Sequence, residues 1–186
     1  MDLVVKYRRS VATILSMVAI FLFSCSEKHE VVEVVERSIS PRLHALDVAT
    51  LVSDSGITRY RVNAKEWLVF DKAEEPYWDF PKGIHLERFD STLNVDAEVK
   101  SKYAIYYTNK KLWDLRDSVH AMNLQGEHFE TNQMFWSEKE ELIFSSEKIK
   151  ITQADKIITG TGFESNQTFT KYVIKKPEAP QLSPRS

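Results

Sequence analysis

The chain has 186 residues but only one cysteine, Cys25, so no disulfide can form within it. It also lacks an excess of positive charge, because 25 lysines and arginines stand against 27 aspartates and glutamates. Affinity for nucleic acid rests on neutralising phosphates with cations, and a chain of net charge −2 has no surplus of them. We therefore expect no nucleic-acid partner.

Residues arranged for catalysis or metal binding are also missing. The five histidines show no paired metal-ligand spacing and have no cysteine partner. Gly160-Thr161-Gly162 lacks the third glycine of a phosphate-binding loop, and no helical pattern follows it. Serine, histidine and aspartate are present, but nothing positions them as a triad. The sequence predicts neither an enzyme nor a protein with a metal or other cofactor.

Sustained helical periodicity is absent between Lys102 and Ile174, where apolar residues recur at every second position. A period of two places alternate side chains on one face of a β-strand. Polar breakers separate the runs roughly every ten residues, as expected for antiparallel strands joined by hairpins. We predict an all-β meander with one apolar face. The alternating sets are Tyr103, Ile105 and Tyr107; Trp113 and Leu115; Phe129 and Thr131; Leu142 and Phe144; and Ile149 and Ile151.

The N-terminus has the pattern of a targeting segment. Three basic residues precede an apolar run over residues 11–23. This run is shorter than the about 20 residues of a spanning helix and is typical of the hydrophobic region of a signal peptide. It ends in Leu22-Phe23-Ser24-Cys25, which resembles the lipobox of bacterial lipoproteins. We predict a lipoprotein signal peptide at 1–24 and lipidation of Cys25; the alternative is a short membrane anchor with an incidental cysteine.

The remaining chain divides into a tether, a domain and a tail. Residues 25–40 are charged and predict a tether, and residues 41–176 hold the strand pattern of the domain. Asp54-Ser55-Gly56 is a turn signal between two apolar runs and predicts a hairpin. Residues 177–186 contain three prolines and no apolar pattern, so we expect a disordered tail there.

Several short motifs follow one another along residues 40–176. They are Phe80-Pro81-Lys82-Gly83-Ile84, Ala104-Ile105-Tyr106-Tyr107, Trp113-Asp114-Leu115, Asn123-Leu124-Gln125-Gly126, Phe135-Trp136 and Gly160-Thr161-Gly162-Phe163-Glu164-Ser165. In their order and spacing these motifs resemble the LptC family, the periplasmic component of the lipopolysaccharide export ABC transporter.

The resemblance implies an all-β, open, twisted antiparallel β-jelly roll of the LptA/OstA-like type. It implies a protein anchored at the periplasmic face of the inner membrane. That protein would take lipopolysaccharide from the ABC transporter subunits and pass it to an LptA-like periplasmic bridge protein. The alternative is a structural or interaction lipoprotein whose β-domain packs an ordinary core and carries no lipid.

Candidate site residues follow from this resemblance. The inner face of the jelly roll would carry acyl chains, although an ordinary core would explain the same aromatic residues. Gly160 and Gly162 match a family motif and are candidates for assembly of the transport machinery, since glycine in a strand marks a bulge or close backbone approach. We expect the final strand, with Phe169 to Ile174 alternating, to be an open edge that recruits the bridge protein. The groove candidates are Tyr106, Trp113, Phe129, Trp136 and Phe144.

Overall fold

The structure is a computed structural model that describes residues 40–54, 56–179 and 181–182. The predicted signal peptide, Cys25 and all of the predicted tether except Ser40 lie outside these residues. No helix in the described ranges is long and apolar enough to cross a membrane.

Twelve antiparallel strands form one sheet, and the described residues contain no helix, which confirms the all-β prediction. The short last strand pairs with β10 inside the region predicted to be a disordered tail. The strands are β1 (Leu43–Asp54), β2 (Ile57–Phe70), β3 (Tyr77–Phe80), β4 (Ile84–Phe89), β5 (Val95–Ser101), β6 (Tyr103–Tyr107), β7 (Leu112–Asn123), β8 (His128–Ser137), β9 (Leu142–Thr152), β10 (Lys156–Asn166), β11 (Tyr172–Pro177) and β12 (Gln181–Leu182).

The long strands change partners along their length. The first part of β2 pairs with β4 and its end pairs with β3. The first part of β7 pairs with β6 and its second part with β5. Consequently β3 and β4, joined at Gly83, behave as two pieces of one bent strand, as do β5 and β6, joined at Lys102. We call the two parts of the sheet the β3/β6 half and the β4/β5 half.

A row of irregularities folds the sheet between these halves. The pairing register shifts between Arg116 and Val119 in β7, between Thr131 and Phe135 in β8, and between Thr161 and Phe163 in β10. A bulge bends its strand, so aligned bulges on neighbouring strands bend the whole sheet. The β4/β5 half contains residues 57–64, 119–123, 128–131 and 149–152, and the β3/β6 half contains residues 67–70, 112–116, 133–137, 142–145 and 163–166.

Buried hydroxyl groups satisfy backbone atoms along this bend. The Thr131 hydroxyl donates to the Lys148 carbonyl at 2.9 Å. The Ser145 hydroxyl donates to the Gln133 carbonyl at 2.7 Å and accepts the Glu147 N–H at 3.0 Å. Buried backbone groups that lose their ladder partner need such replacements. Side chains of the domain therefore supply the hydrogen bonds that the bend removes from the sheet.

The two halves face each other and enclose a trough, which gives the predicted β-jelly roll. Tyr60 of the β4/β5 half meets Trp136 of the β3/β6 half edge-on, with ring centroids 5.0 Å apart. The strand series β1-β2-β4-β5-β7-β8-β9-β10-β11 crosses the β4/β5 half. At about 4.8 Å per strand the trough is about 40 Å long.

Alternation predicts the inner side chains correctly for some strands and wrongly for others. Trp113 with Leu115, Phe129 with Thr131, and Ile149 with Ile151 are buried, as predicted. The set at Tyr103, Ile105 and Tyr107 is wrong, because Ala104 and Tyr106 are the buried residues of β6. The set at Leu142 and Phe144 is wrong for the same reason, since Ile143 and Ser145 are buried.

Candidate functional site

The inside of the trough is lined by an aromatic series that runs across the strands. Trp67 contacts Trp78 with ring centroids 4.9 Å apart, and Tyr106 contacts Trp113 at 4.5 Å. Further along the strand order, Phe129 lies 5.7 Å from Phe163 and 5.3 Å from Tyr172. These ring contacts form three groups, and all their members pack into one hydrophobic cluster inside the trough. The members of the series are Trp67, Trp78, Phe80, Tyr106, Trp113, Tyr60, Trp136, Phe129, Phe163, Phe169 and Tyr172.

Four of the five groove candidates belong to this inner surface, and Phe144 does not. Tyr106, Trp113, Phe129 and Trp136 are buried between the halves, with relative exposures of 9%, 2%, 0% and 2%. Phe144 is half-buried and stacks on Phe135 at a centroid distance of 5.2 Å. Because neighbouring residues of a strand point to opposite faces, burial of Ile143 places Phe144 on the outer surface.

Indole donors in the trough are satisfied unequally. The Trp113 indole N–H donates to Glu138 Oε1 at 2.9 Å, and the Tyr106 hydroxyl donates to Glu138 Oε2 at 3.2 Å. The indole N–H groups of Trp67 and Trp136 are buried and have no hydrogen-bond partner among the described residues. An unsatisfied buried donor costs about 1–3 kcal/mol. The inner surface therefore keeps two donors that an acceptor entering the trough would satisfy.

A turn closes the trough near its C-terminal end. This turn, residues 166–171, follows β10, and we call it the strap. The Asn166 side-chain oxygen accepts the N–H groups of Thr170 and Lys171 at 2.9 and 3.1 Å. Phe169 adopts a left-handed φ of 57° and is fully buried, with its ring 5.0 Å from that of Phe129. The strand predicted over Phe169 to Ile174 is β11, and its predicted start is wrong, because β11 begins at Tyr172.

Two hydrogen bonds tie the strap to the β4/β5 half. Asn123, at the end of β7, donates from Nδ2 to the Phe169 carbonyl at 3.0 Å. Its Oδ1 accepts the N–H groups of Gln125 and Glu127, both at 3.0 Å, so the same amide also shapes the β7–β8 turn. Arg88 Nε donates to Gln167 Oε1 at 3.4 Å. The strap therefore bridges the opening between the halves, and its Phe169 fills the space beneath.

Burial and neighbouring carboxylates shift the pKa of tyrosines on both faces. On the outer face, burial, with Asp79 as the next cause, raises the pKa of Tyr103 to about 12. On the inner face, burial together with nearby Glu127 raises the pKa of Tyr172. Both hydroxyls therefore stay protonated at physiological pH and remain hydrogen-bond donors. The Asp79 pKa is itself raised by burial.

The two ends of the sheet have free strand edges. Among the described residues β1 pairs only with β2, and β11 pairs only with β10. Val173 of β11 is 64% exposed, and Lys175 pairs with Glu164 at 2.6 Å. An unpaired edge can accept a strand from another protein. The trough thus ends at an open edge on each side.

The two candidate assembly glycines lie where β10 meets the edge strand. Gly160 is buried, and a Cβ added there would lie 2.5 Å from the Lys176 carbonyl oxygen and 3.0 Å from Pro177 Cα. Gly162 has a φ of +77° and occupies the register shift of β10. Gly160 needs to be glycine for the docking of β11, and Gly162 for the left-handed backbone of the bulge, which gives both a structural role beside that edge.

Gly160→Ala is expected to push β11 away from β10. Overpacking of this kind costs about 1–3 kcal/mol, and amide exchange in residues 172–177 should rise. Gly126→Ala is the matched control, because Gly126 has a φ of +74° but nothing within 4 Å of the added Cβ. It should cost about 1–2 kcal/mol for the left-handed backbone alone and leave exchange in β11 unchanged. If amide exchange in β11 is unchanged in Gly160→Ala, the close backbone approach at Gly160 is not what restricts the docking of β11.

No cluster that could hold a metal occurs in the described ranges, meaning three or more histidine, cysteine, aspartate or glutamate side chains placed together. Three of the four histidines that the structure describes lie beside glutamate side chains. His44 and His85 hydrogen-bond to Glu66 and Glu98 at 2.8 and 3.0 Å. His120 lies exposed, 3.5 Å from Glu130.

Comparison with protein families assigns the domain to a family. The family model described as "Lipopolysaccharide-assembly, LptC-related" matches residues 11–176. The chain belongs to the LptC family. The match covers the whole of β1 to β10 and nearly all of β11, so the trough and both open edges are parts of the LptC domain. No curated protein matches the chain. Membership of the LptC family connects the protein with lipopolysaccharide transport at the periplasmic side of the inner membrane.

Proposed function

We propose that the trough carries the acyl chains of lipopolysaccharide between the two open edges of the sheet. The protein receives lipopolysaccharide from the inner-membrane ABC transporter and passes it to an LptA-like periplasmic bridge protein. The observation that carries this proposal is the continuous inner apolar surface, rich in aromatic side chains, which runs from strand to strand between β1 and β11. The protein does no chemistry of its own, and the transporter supplies the energy.

The size of the hydrophobic effect explains why such a carrier needs a long apolar surface. Burial of one methylene contributes about 0.8 kcal/mol, so an acyl chain of on the order of ten methylenes costs roughly 8 kcal/mol when exposed to water. A small polar pocket could not compensate for this. Side chains of the two halves pack against each other inside the trough, so bound acyl chains would replace contacts such as that between Tyr60 and Trp136. Lipid uptake therefore requires the halves to part.

We also propose that Cys25 becomes the lipidated N-terminus of the mature protein. The apolar run and the lipobox-like motif support this processing. Fourteen residues separate Cys25 from Ser40, and an extended chain between these two residues has a reach of about 50 Å. The lipid would hold the domain at the periplasmic face of the inner membrane while leaving the trough free to meet its partners. Mass spectrometry of the mature N-terminal peptide tests this, and an unmodified cysteine there would contradict it.

Intrinsic fluorescence tests lipid carriage directly, because all four tryptophans lie in the trough: Trp67, Trp78, Trp113 and Trp136. Lipopolysaccharide should change the fluorescence of the purified protein saturably, and an amphiphile with brominated acyl chains should quench it. The deacylated saccharide is the control and should leave it unchanged. If acylated and deacylated ligands both leave the spectrum unchanged, the domain is a structural lipoprotein with an ordinary core.

A further inference from the structure

The opening of the trough has a polar wall made of residues from both halves. Arg59, Tyr60 and Arg88 come from the β4/β5 half, and the strap closes one side. Turns of the β3/β6 half complete the wall, and we call the whole depression, of about 620 Å³, the mouth. It contrasts with the aromatic interior directly beneath it. The residues that line the mouth are Arg59, Tyr60, Arg88, Asn109, Lys111, Glu138, Lys139, Glu141 and Asn166 to Thr168.

Three cations of the mouth do not take part in the ion pairs of the domain. Arg59, Lys111 and Lys139 are exposed and form no ion pair with a described residue. Arg88 differs from them because it pairs with Asp96 and bonds to Gln167. An arginine and two lysines around one depression raise its potential and attract anions, and guanidinium and ammonium groups both bind phosphate.

Acidic side chains in the mouth leave this positive character in place. Glu138 accepts hydrogen bonds from the Trp113 indole and the Tyr106 hydroxyl, so its carboxylate is committed to the interior. Glu141 is the other acidic residue of the lining. Arg88 is paired to Asp96, and the lining then has three cations against the two carboxylates of Glu138 and Glu141.

The floor of the mouth connects these charges with the apolar interior. Tyr60 lines the mouth and its ring contacts Trp136 at 5.0 Å. Trp136 is 98% buried, and its indole N–H has no partner among the described residues. An ester or amide carbonyl at the junction between a lipid head and its acyl chains is the acceptor that this donor lacks. From the outside inward, the mouth and trough present cations, then the indole donor, then aromatic rings. An anionic amphiphile has its groups in the matching order: charged head, carbonyl, acyl chain.

We infer that the mouth is a headgroup subsite that binds the phosphate-bearing head of an amphiphile whose acyl chains lie between the halves of the sheet. Arg59, Lys111 and Lys139 contact the phosphates, and Tyr60 and Trp136 contact the start of the acyl chains. This inference rests on the proposed function, because it needs acyl chains in the trough. It adds that the protein recognises the charged head of the amphiphile as well as its acyl chains.

Binding of lipopolysaccharide and of the same material after enzymatic dephosphorylation tests the subsite. The wild-type protein should bind the phosphorylated form about tenfold more tightly, since three exposed charges each contribute a modest factor. The triple variant Arg59→Gln, Lys111→Gln, Lys139→Gln should lose this preference and bind both forms equally. All three residues are exposed, so the fold should be kept, which circular dichroism checks.

The matched control is Lys65→Gln, Lys102→Gln, Lys156→Gln, which removes three exposed cations that lie outside the mouth and likewise form no ion pair with a described residue. It should keep the tenfold preference. Equal loss in both triple variants would assign the effect to overall charge and overturn the subsite, as would a preference that survives in the mouth variant. Saturable binding of inorganic phosphate alone, at similar affinity, would make the mouth a free-phosphate site instead. If neither form of lipopolysaccharide binds, the proposed function itself fails.

Discussion

Phe169→Ala is expected to lower the free energy of unfolding by about 3–5 kcal/mol, the usual cost of deleting a fully buried phenylalanine ring. The ring of Phe169 is fully buried although it comes from a turn, and it packs against Phe129 and Phe163 from opposite elements. Its loss leaves a cavity under the strap and removes the packing that holds the strap across the opening. Urea denaturation measured by tryptophan fluorescence gives the change directly.

Phe144→Ala is the matched control for this substitution. It deletes the same ring from a half-buried position on the outer face, where Phe135 is its stacking partner. Its cost should be clearly smaller, because solvent already covers part of the ring. Amide exchange in residues 166–171 should rise in Phe169→Ala and stay unchanged in Phe144→Ala. Equal costs for the two variants would show that the strap is not anchored through Phe169.

The double variant Lys175→Pro, Lys176→Pro is expected to weaken binding of the periplasmic bridge protein by at least about tenfold. Successive N–H groups of a strand point to opposite edges, so two adjacent prolines remove one donor from the free edge of β11 whichever residue bears it. Each lost backbone hydrogen bond contributes about 0.5–1.5 kcal/mol, and the proline rings also obstruct a docking strand. A pull-down or a binding titration with the bridge protein measures the change.

Lys175→Ala, Lys176→Ala is the control for the edge, because it removes the same two charges and keeps both N–H groups. The ion pair between Lys175 and Glu164 is exposed, so its loss should have little effect. The alanine variant should therefore bind the bridge protein almost as well as the wild type. If the proline variant is folded and binds equally well, the handover surface lies elsewhere on the domain.

The sequence predicts the inner face wherever a polar residue separates two apolar ones. Asp114 lies between Trp113 and Leu115, and Lys150 lies between Ile149 and Ile151, so the alternation has one possible phase. Strand β6 reads Tyr-Ala-Ile-Tyr-Tyr and is apolar on both faces. Periodicity cannot assign a face there, and size misleads, since the small Ala104 points inward. Leu142, Ile143 and Phe144 form the same kind of uninterrupted run.

The bend and the strap depend on contacts that a linear pattern does not display. Gly83 and Gly162, with φ of +86° and +77°, mark the bend at two strands. On β7 the left-handed residues are Asp117 and Ser118, which carry no such signal. In the strap, Phe169 alternates with its neighbours as a strand residue would. The Asn166 side chain instead captures the N–H groups of residues 170 and 171 and turns the chain inward.

Site-specific photocrosslinking at inner and outer positions of neighbouring strands tests lipid carriage most directly. A photoreactive phenylalanine analogue at Phe129 or Trp136 of β8 faces the trough, and the same analogue at Phe135 of β8 or Phe144 of β9 faces outward. With the transporter, lipopolysaccharide and ATP present, we expect lipopolysaccharide adducts at Phe129 and Trp136 that depend on ATP, and none at Phe135 and Phe144. Equal labelling of both faces, or adducts only at the outer positions, would contradict transport through the trough.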